Sequence, residues 1–489
     1  QRPWGQPVNR YLPLELLSSD EIEAIHNHSL RILEEIGIVF HSPKALSYFR
    51  GASAKVGDGG RVFLGREIIE DALRSVGRRV RLVPRNEARA VTVSSDCMAF
   101  ATVLGPPNCS DLKRGRRPGT LADFSDFIRL AQYFNVIHLL AGSPVEPTDV
   151  PVPLRHLEST RRMLELSDKV PYVFCHSRRR VLDVLEMIAI ARGMTLEALA
   201  DSPSTYSIIN SNSPLQYDRA MADGLIELAE FGQLVIITPF SVAGASMPIA
   251  LAGATALANA EMLAGLVLTQ LVRPGAPVVS GAKTVPADMR TGSLADASPE
   301  ANKALQIGAQ LARRYDLPYR AACFTNSNAP DAQAGYESQS QLWAAVTAGS
   351  QLLMHAAGWL ETGLCASFEK FVLDVDMLQA ICAYLEPVEV DDRTLAFEEI
   401  AEVGPGGHYF ATPSTLCEFE TAFYRPLVFE GKNYEQWQAE GAPQAAERAH
   451  ELYRQVLDEF ETPRLSPERQ EALDAFVKRR SEDGGAPLE

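Results

Sequence analysis

Cysteine is scarce in this chain: seven residues among 489, at positions 97, 109, 175, 323, 365, 382 and 417. No two have the spacing of a disulfide framework, and several lie in apolar runs, so reduced thiols in a cytoplasmic protein are expected. There is no Cys-x-x-Cys and no HExxH, which argues against a local zinc site, although ligands scattered over several strands would escape that test. Positive charge is short as well. A formal net charge of −16 counts against nucleic acid or an anionic membrane as the main partner. The opening QRPWGQPVNRYLPLE is polar and proline-rich, so no signal peptide is expected. One long apolar run, 249–272, has the length of a membrane span. Asn259, Glu261 and Gln270 interrupt it, and a carboxylate is costly at mid-bilayer, so a helix pressed against a sheet is expected instead.

What is present is regular. Bulk composition is that of a globular protein, 46% hydrophobic and 22% charged with a mean hydropathy of −0.07. Residues 1–92 read as an extended arm followed by an α/β cap. The cap has a helix at 21–36, strands at 62–64 and 80–83, and a helix at 66–76 between them. From 93 to 386 apolar runs of strand length recur at 98–104, 136–141, 172–175, 206–209, 234–237, 277–279, 319–324 and 352–356. Helical patterns follow them at 120–133, 154–166, 180–192, 217–231, 249–272, 299–315, 333–349 and 367–385. Strand then helix, eight times over, predicts an α/β fold of the (β/α)8 TIM-barrel type. An open doubly wound sheet gives the same alternation, but no glycine-rich turn follows the first strand, which favours the barrel. Residues 387–489 read as a C-terminal helical extension. It holds a GPGGH tight turn at 404–408, helices at 433–461 and 466–479, and a disordered tail RRSEDGGAPLE.

In a barrel the site lies at the C-terminal ends of the strands. That rule selects Phe100, His176, Asn210, Phe240, Phe324, Asn326, His355, Trp359 and Glu361, with Gln333 at the start of the next helix. The set mixes amides, imidazoles and aromatic rings with a single carboxylate. A ring and a carboxylate two residues apart, Trp359 and Glu361, are the groups that receive a methylated ammonium ion. Lys283 lies past the end of the sixth strand, where a buried lysine could form a Schiff base. It stands four residues beyond Val279, ahead of Asp288 and Arg290, and is expected to be a solvated loop lysine.

Several segments together resemble the trimethylamine methyltransferase family. They are NAEMLAGLVLTQLVRPGAPVVSG at 259–281, ADMRTG at 287–292, PDAQAGYES at 330–338, HAAGWLETGL at 355–364, SFEKFVLDVDML at 367–378, EVGPGGHYF at 402–410 and FYRP at 423–426. The resemblance covers most of the chain and is densest from 249 to 426. It implies a (β/α)8 barrel whose cavity holds a methyl donor, while a separate corrinoid-binding protein brings cobalamin to the mouth. No tightly bound cofactor or metal of its own is implied. The founding members of the family carry pyrrolysine, expected by position near 325–331, where this chain has only standard residues. It therefore resembles the larger group without pyrrolysine, associated with quaternary amines such as glycine betaine.

On that resemblance Phe100, Phe240, Phe324 and Trp359 are expected around the trimethylammonium head, with Glu361 adding charge complementarity. His176, Asn210, Asn326, Gln333 and His355 are expected at the polar end of the donor. A homo-oligomer is expected from the family. The alternatives are a barrel lyase using Lys283 and a quaternary-amine-binding protein without catalysis.

Overall fold

The computed structural model describes residues 1–487. Its centre is a six-stranded sheet in the order Ala99–Phe100, Leu352–Met354, Tyr319–Ala322, Val278–Gly281, Leu234–Ile237, Tyr206–Ile209. Every neighbouring pair is parallel. These strands are short, apolar and buried on both faces, as parallel strands covered by helices must be.

Two of the eight expected strands do not form regular ladders. Residues 136–141 and 172–175 instead make single parallel bridges, Ala101 with Leu139, Leu139 with Val170 and Tyr172 with Tyr206. Both free edges of the six-stranded sheet are thus joined to this pair of segments. The reason lies in where their carbonyls go. Leu140 O accepts from the Tyr206 hydroxyl at 2.9 Å, Pro171 O from Thr205 at 2.7 Å, Val173 O from Ser207 at 2.7 Å and Ile137 O from the Lys169 ammonium at 2.7 Å. Pro171 has no N–H to give. Side chains satisfy the backbone where a ladder would otherwise have done so.

The helices fall where expected: Leu121–Tyr133, Val152–Leu166, Arg178–Arg192, Arg219–Glu230, Leu251–Val272, Pro299–Arg314, Ala332–Thr347 and Phe368–Leu385. Six open on a side-chain cap that accepts a backbone N–H, namely Thr120, Ser177, Asp218, Ser298, Asp331 and Ser367. Each cap fixes where a loop ends and a helix begins. The Leu251–Val272 helix is long and apolar enough to cross a bilayer, yet 78% of its apolar window is buried inside the protein. Its Glu261 accepts from the Ser213 hydroxyl at 2.7 Å and the Leu215 N–H at 2.7 Å, and also from Ser211.

The N-terminal cap interlocks with the central sheet. Its Ile38–Phe40 strand pairs in parallel with Gln216–Tyr217, and the Phe40 and Tyr217 rings stack at 5.0 Å. At the other end the helix expected over 433–461 is two helices, Tyr434–Ala439 and Ala445–Asp458. Gly441 at φ 92° and Pro443 break it. Asp392–Leu395, Phe397–Val403 and Pro413–Glu418 bury no residue. The tail expected to be disordered docks as far as it is described: Ala486 is fully buried and donates its N–H to Pro153 O.

Candidate functional site

The site is built by alternation along three parallel strands. Tyr319 turns its ring outward, so that a Cβ placed on Gly308 of the neighbouring helix would lie 2.4 Å from the tyrosine oxygen. Arg320 therefore points the other way, into the interior. Gly281 is its register partner, and a Cβ there would lie 3.2 Å from Arg320 Cδ and 2.8 Å from Thr238 Oγ1. Glycine is needed at 281 to leave room for these two side chains. Lys283 follows two residues later, in the Lys283–Pro286 strand that pairs in parallel with Phe240–Ala243.

That pairing overturns the expectation of a solvated loop lysine. Lys283 is 8% exposed, and its ammonium lies 4.0 Å from the Phe324 ring centroid, 4.8 Å from Phe240 and 5.3 Å from Trp359. Its counter-ion is Asp296, at 3.0 Å. Three rings and one carboxylate thus enclose a cation. The Phe324 and Trp359 rings meet edge to face at 4.8 Å, and the His355 ring sits 5.2 Å from Phe324 and 4.7 Å from Trp359. His355 holds φ at 55°, a left-handed backbone uncommon outside glycine. That turn departs from strand alternation and lays the imidazole against the other rings.

Electrostatics follow from burial. Desolvation pushes the Lys283 pKa down against the pull of Asp296, and pushes the Asp296 pKa up against the pull of Lys283. His355 is held well below the ordinary imidazole range by desolvation, then by the charges of Arg320 and Lys283, so its ring is neutral near pH 7. Desolvation lowers Arg320 to about 10, which leaves it charged. Arg320 Nε and Nη1, Thr238 Oγ1, His355 Nδ1 and Trp359 Nε1 are buried with no hydrogen-bond partner among the described residues.

Of the residues singled out by sequence, Phe240, Phe324, His355 and Trp359 come together. The others do not join them. Phe100 is in register with Leu353, which is in register with outward-facing Ala321, and its ring lies 5.7 Å from His138 on the helix-facing side. Asn326 spends its amide on Leu294 O at 2.5 Å, Thr362 Oγ1 at 3.1 Å and the Ala297 N–H at 3.3 Å, tying down the loop that carries Asp296. Gln333 is exposed and donates to Glu337 at 2.9 Å. Both Glu361 oxygens accept from Arg116 Nε, at 3.0 and 2.9 Å. His176 and Asn210 are accessible to solvent at neighbouring strand ends and make no side-chain hydrogen bond among the described residues. Crowding by protein, and secondarily Arg180, lowers the His176 pKa.

Sequence reasoning missed Asp296, Arg320 and Gln341. Gln341 accepts from the Phe324 N–H at 2.8 Å and donates to Asp296 O at 2.6 Å, locking ring and counter-ion together. Arg320 did carry a signal, a charge in the middle of the apolar run Tyr319–Ala322.

Three rings and a carboxylate thus surround a buried lysine at the ends of parallel strands, the end of such a sheet where ligands bind. The sequence model of the family described as trimethylamine methyltransferase (MTTB) matches residues 1–485, and the chain belongs to that family. It is similar to a glycine betaine methyltransferase of Desulfitobacterium hafniense (strain Y51), 36% identical over 482 residues that cover 98% of this chain and 99% of the relative. A proline betaine:corrinoid methyltransferase of Eubacterium limosum is 28% identical over 83% of this chain and 85% of its own. The trimethylamine methyltransferase MttB of Desulfitobacterium hafniense (strain DSM 10664 / DCB-2) is 28% identical over 95% and 94%. The fold is similar to that of the Methanosarcina barkeri monomethylamine methyltransferase (MtmB), with a TM-score of 0.50 at 10% identity, covering 96% of this chain and 88% of that one.

Proposed function

We propose that the chain is a corrinoid-dependent methyltransferase that moves a methyl group from a quaternary amine of the glycine betaine type to cob(I)alamin on a separate corrinoid protein. The observation that carries this reading is the enclosure of an ammonium by Phe240, Phe324, Trp359 and Asp296. Glycine betaine and proline betaine in the relatives' names support it. In this reading the Lys283 ammonium is a stand-in that leaves the cage when a donor enters, and Asp296 takes the role expected of Glu361. His355, neutral, supplies a wall that adds no positive charge against the donor.

The chemistry asks little acid or base of the protein. The C–N bond breaks, nitrogen keeps the electron pair and departs as a neutral tertiary amine, and the acceptor supplies the pair that forms the new bond to methyl. Cob(I)alamin, as substrate on its carrier, contributes a strongly nucleophilic cobalt. What remains for this chain is to hold the donor in line, exclude water and leave one methyl reachable. Phe240 is 38% exposed, and with accessible His176 and Asn210 it supports an opening at the strand ends where the carrier docks. Standard residues at 325–331 suit a donor that is already cationic and needs no activation.

The single bridges through Leu139, Val170 and Tyr172 support completion of the sheet into a (β/α)8 barrel. Its organisation is a cap over 1–92, the barrel over 93–386 and an extension over 387–489. Phe397, Phe410 and Phe423 are 72%, 83% and 82% exposed, which supports association of copies of the chain through the 388–434 segment. Seven unpaired cysteines support a cytoplasmic setting.

The test is to mix the protein with cob(I)alamin and a panel of quaternary amines and follow the cobalamin spectrum. Methylation of cobalt by at least one betaine is expected. A panel with no response, beside an active control enzyme, would defeat the reading.

A further inference from the structure

Arg320 carries a charge that no carboxylate among the described residues answers. It is 2% exposed, and its Nε and Nη1 have no hydrogen-bond partner among the described residues. No carboxylate among those residues lies within ion-pair distance of it, and the one acid of the site, Asp296, is engaged by Lys283 at 3.0 Å. A guanidinium in such surroundings is costly unless an anion joins it. The backbone keeps its space open: Gly281 sits in register with Arg320, and any Cβ there would press on Arg320 Cδ at 3.2 Å and on the unpartnered Thr238 hydroxyl at 2.8 Å.

Position supplies the rest. Gly281 ends one strand and Lys283 begins the next with only Ala282 between them, so Arg320 starts about one side-chain layer beneath the cage, roughly 6.6 Å for two residues of extended chain. A ligand with its cationic head among Phe240, Phe324 and Trp359 would reach down to the guanidinium through a short tether. The planar fork of an arginine matches a carboxylate with two parallel hydrogen bonds.

Resting on the methyl-donor reading above, we infer that Arg320 seats a carboxylate of the donor, with Thr238 beside it, and that the site thereby selects zwitterionic quaternary amines over simple quaternary cations. The two cations Lys283 and Arg320 against the single acid Asp296 leave the empty site with an excess of positive charge. A donor without an anion adds to that excess. A betaine cancels its own contribution.

The test is calorimetric binding of glycine betaine and of choline, in which a hydroxymethyl group replaces the carboxylate, to the wild-type protein and to Arg320→Met and Arg320→Lys, with melting temperatures measured alongside. Wild type is expected to bind glycine betaine at least tenfold more tightly than choline. Arg320→Met should lose at least tenfold in glycine betaine affinity while choline affinity holds or improves, and Arg320→Lys should recover part of the loss. Its Tm should not fall, since removing an unpaired buried charge breaks no bond. Arg320→Met that binds glycine betaine like wild type would overturn the inference while leaving the methyl-donor reading intact. A lowered Tm with equal losses for both ligands would make Arg320 structural and overturn it too. Wild type that binds neither ligand would defeat the donor reading itself, and this inference with it.

Discussion

The Lys283 ammonium lies 4.0 Å from the centre of the Phe324 ring, inside a protein whose only nearby counter-charge for it among the described residues is Asp296. On the methyl-donor reading, a lysine held this way occupies the place of the donor's cationic head. Donor binding must then include the work of moving it, which lowers apparent affinity by the fraction of molecules with the cage free.

Lys283→Met should therefore bind glycine betaine more tightly than wild type, by roughly three- to tenfold, the order of a partly desolvated cation–π contact. Isothermal titration measures it. Weaker binding would mean that Lys283 holds the donor instead of standing in for it. Borohydride treatment with substrate should leave residue 283 unmodified by mass spectrometry; a trapped adduct would point to Schiff-base chemistry.

The cage assigns opposite fates to two phenylalanines. Phe324→Ala should weaken donor binding by about ten- to thirtyfold, as loss of a desolvated cation–π contact of about 2 kcal/mol implies. Phe100→Leu should leave donor affinity unchanged, because its ring faces His138 and the surrounding helices. A large affinity loss in Phe100→Leu would place the site elsewhere.

Much of this was readable in the sequence, and the failures have physical causes. Continuous apolar runs marked six strands correctly, because burial on both faces leaves that trace. The runs at 136–141 and 172–175 carry the same trace, but tyrosine, serine and lysine side chains take the carbonyls of Leu140, Val173 and Ile137. Ring pairing at Phe240, Phe324 and Trp359 was legible as aromatic residues at strand ends. Lys283 was misread because a second short strand, paired with Phe240–Ala243, carries it back inside. Phe100 failed on parity, one residue being enough to turn a side chain to the other face.

Acid should destabilise the fold from below neutrality. Desolvation holds His26 down to about 4 and His138 down to about 3, and both are buried. Unfolded imidazoles take up protons near pH ~6.5. The folded ones do not, so falling pH favours the unfolded chain by up to about 1.4 kcal/mol per pH unit for each such histidine. Tm should fall steadily between pH 6.5 and 5 (roughly the span of these titrations), with a shallower fall in His138→Gln. A Tm that holds constant to pH 5 would contradict this.

The exposed rings of the 388–434 segment call for a size measurement. Sedimentation velocity should find an assembly larger than the 53.5 kDa chain, and Phe410→Glu with Phe423→Glu should shift it toward a monomer without lowering the melting temperature of the core. A monomeric wild-type protein at micromolar concentration would remove the proposed interface.

The central claim is methyl transfer from a donor that is already cationic. Its most direct test is product balance: incubate the protein with cob(I)alamin and either glycine betaine or trimethylamine, then quantify methylated cobalt by its spectrum and the demethylated amine by mass spectrometry. The account predicts one equivalent of dimethylglycine for each cobalt methylated from glycine betaine, and no transfer from trimethylamine. Equal or faster transfer from trimethylamine, or loss of betaine without methylated cobalt, would contradict it.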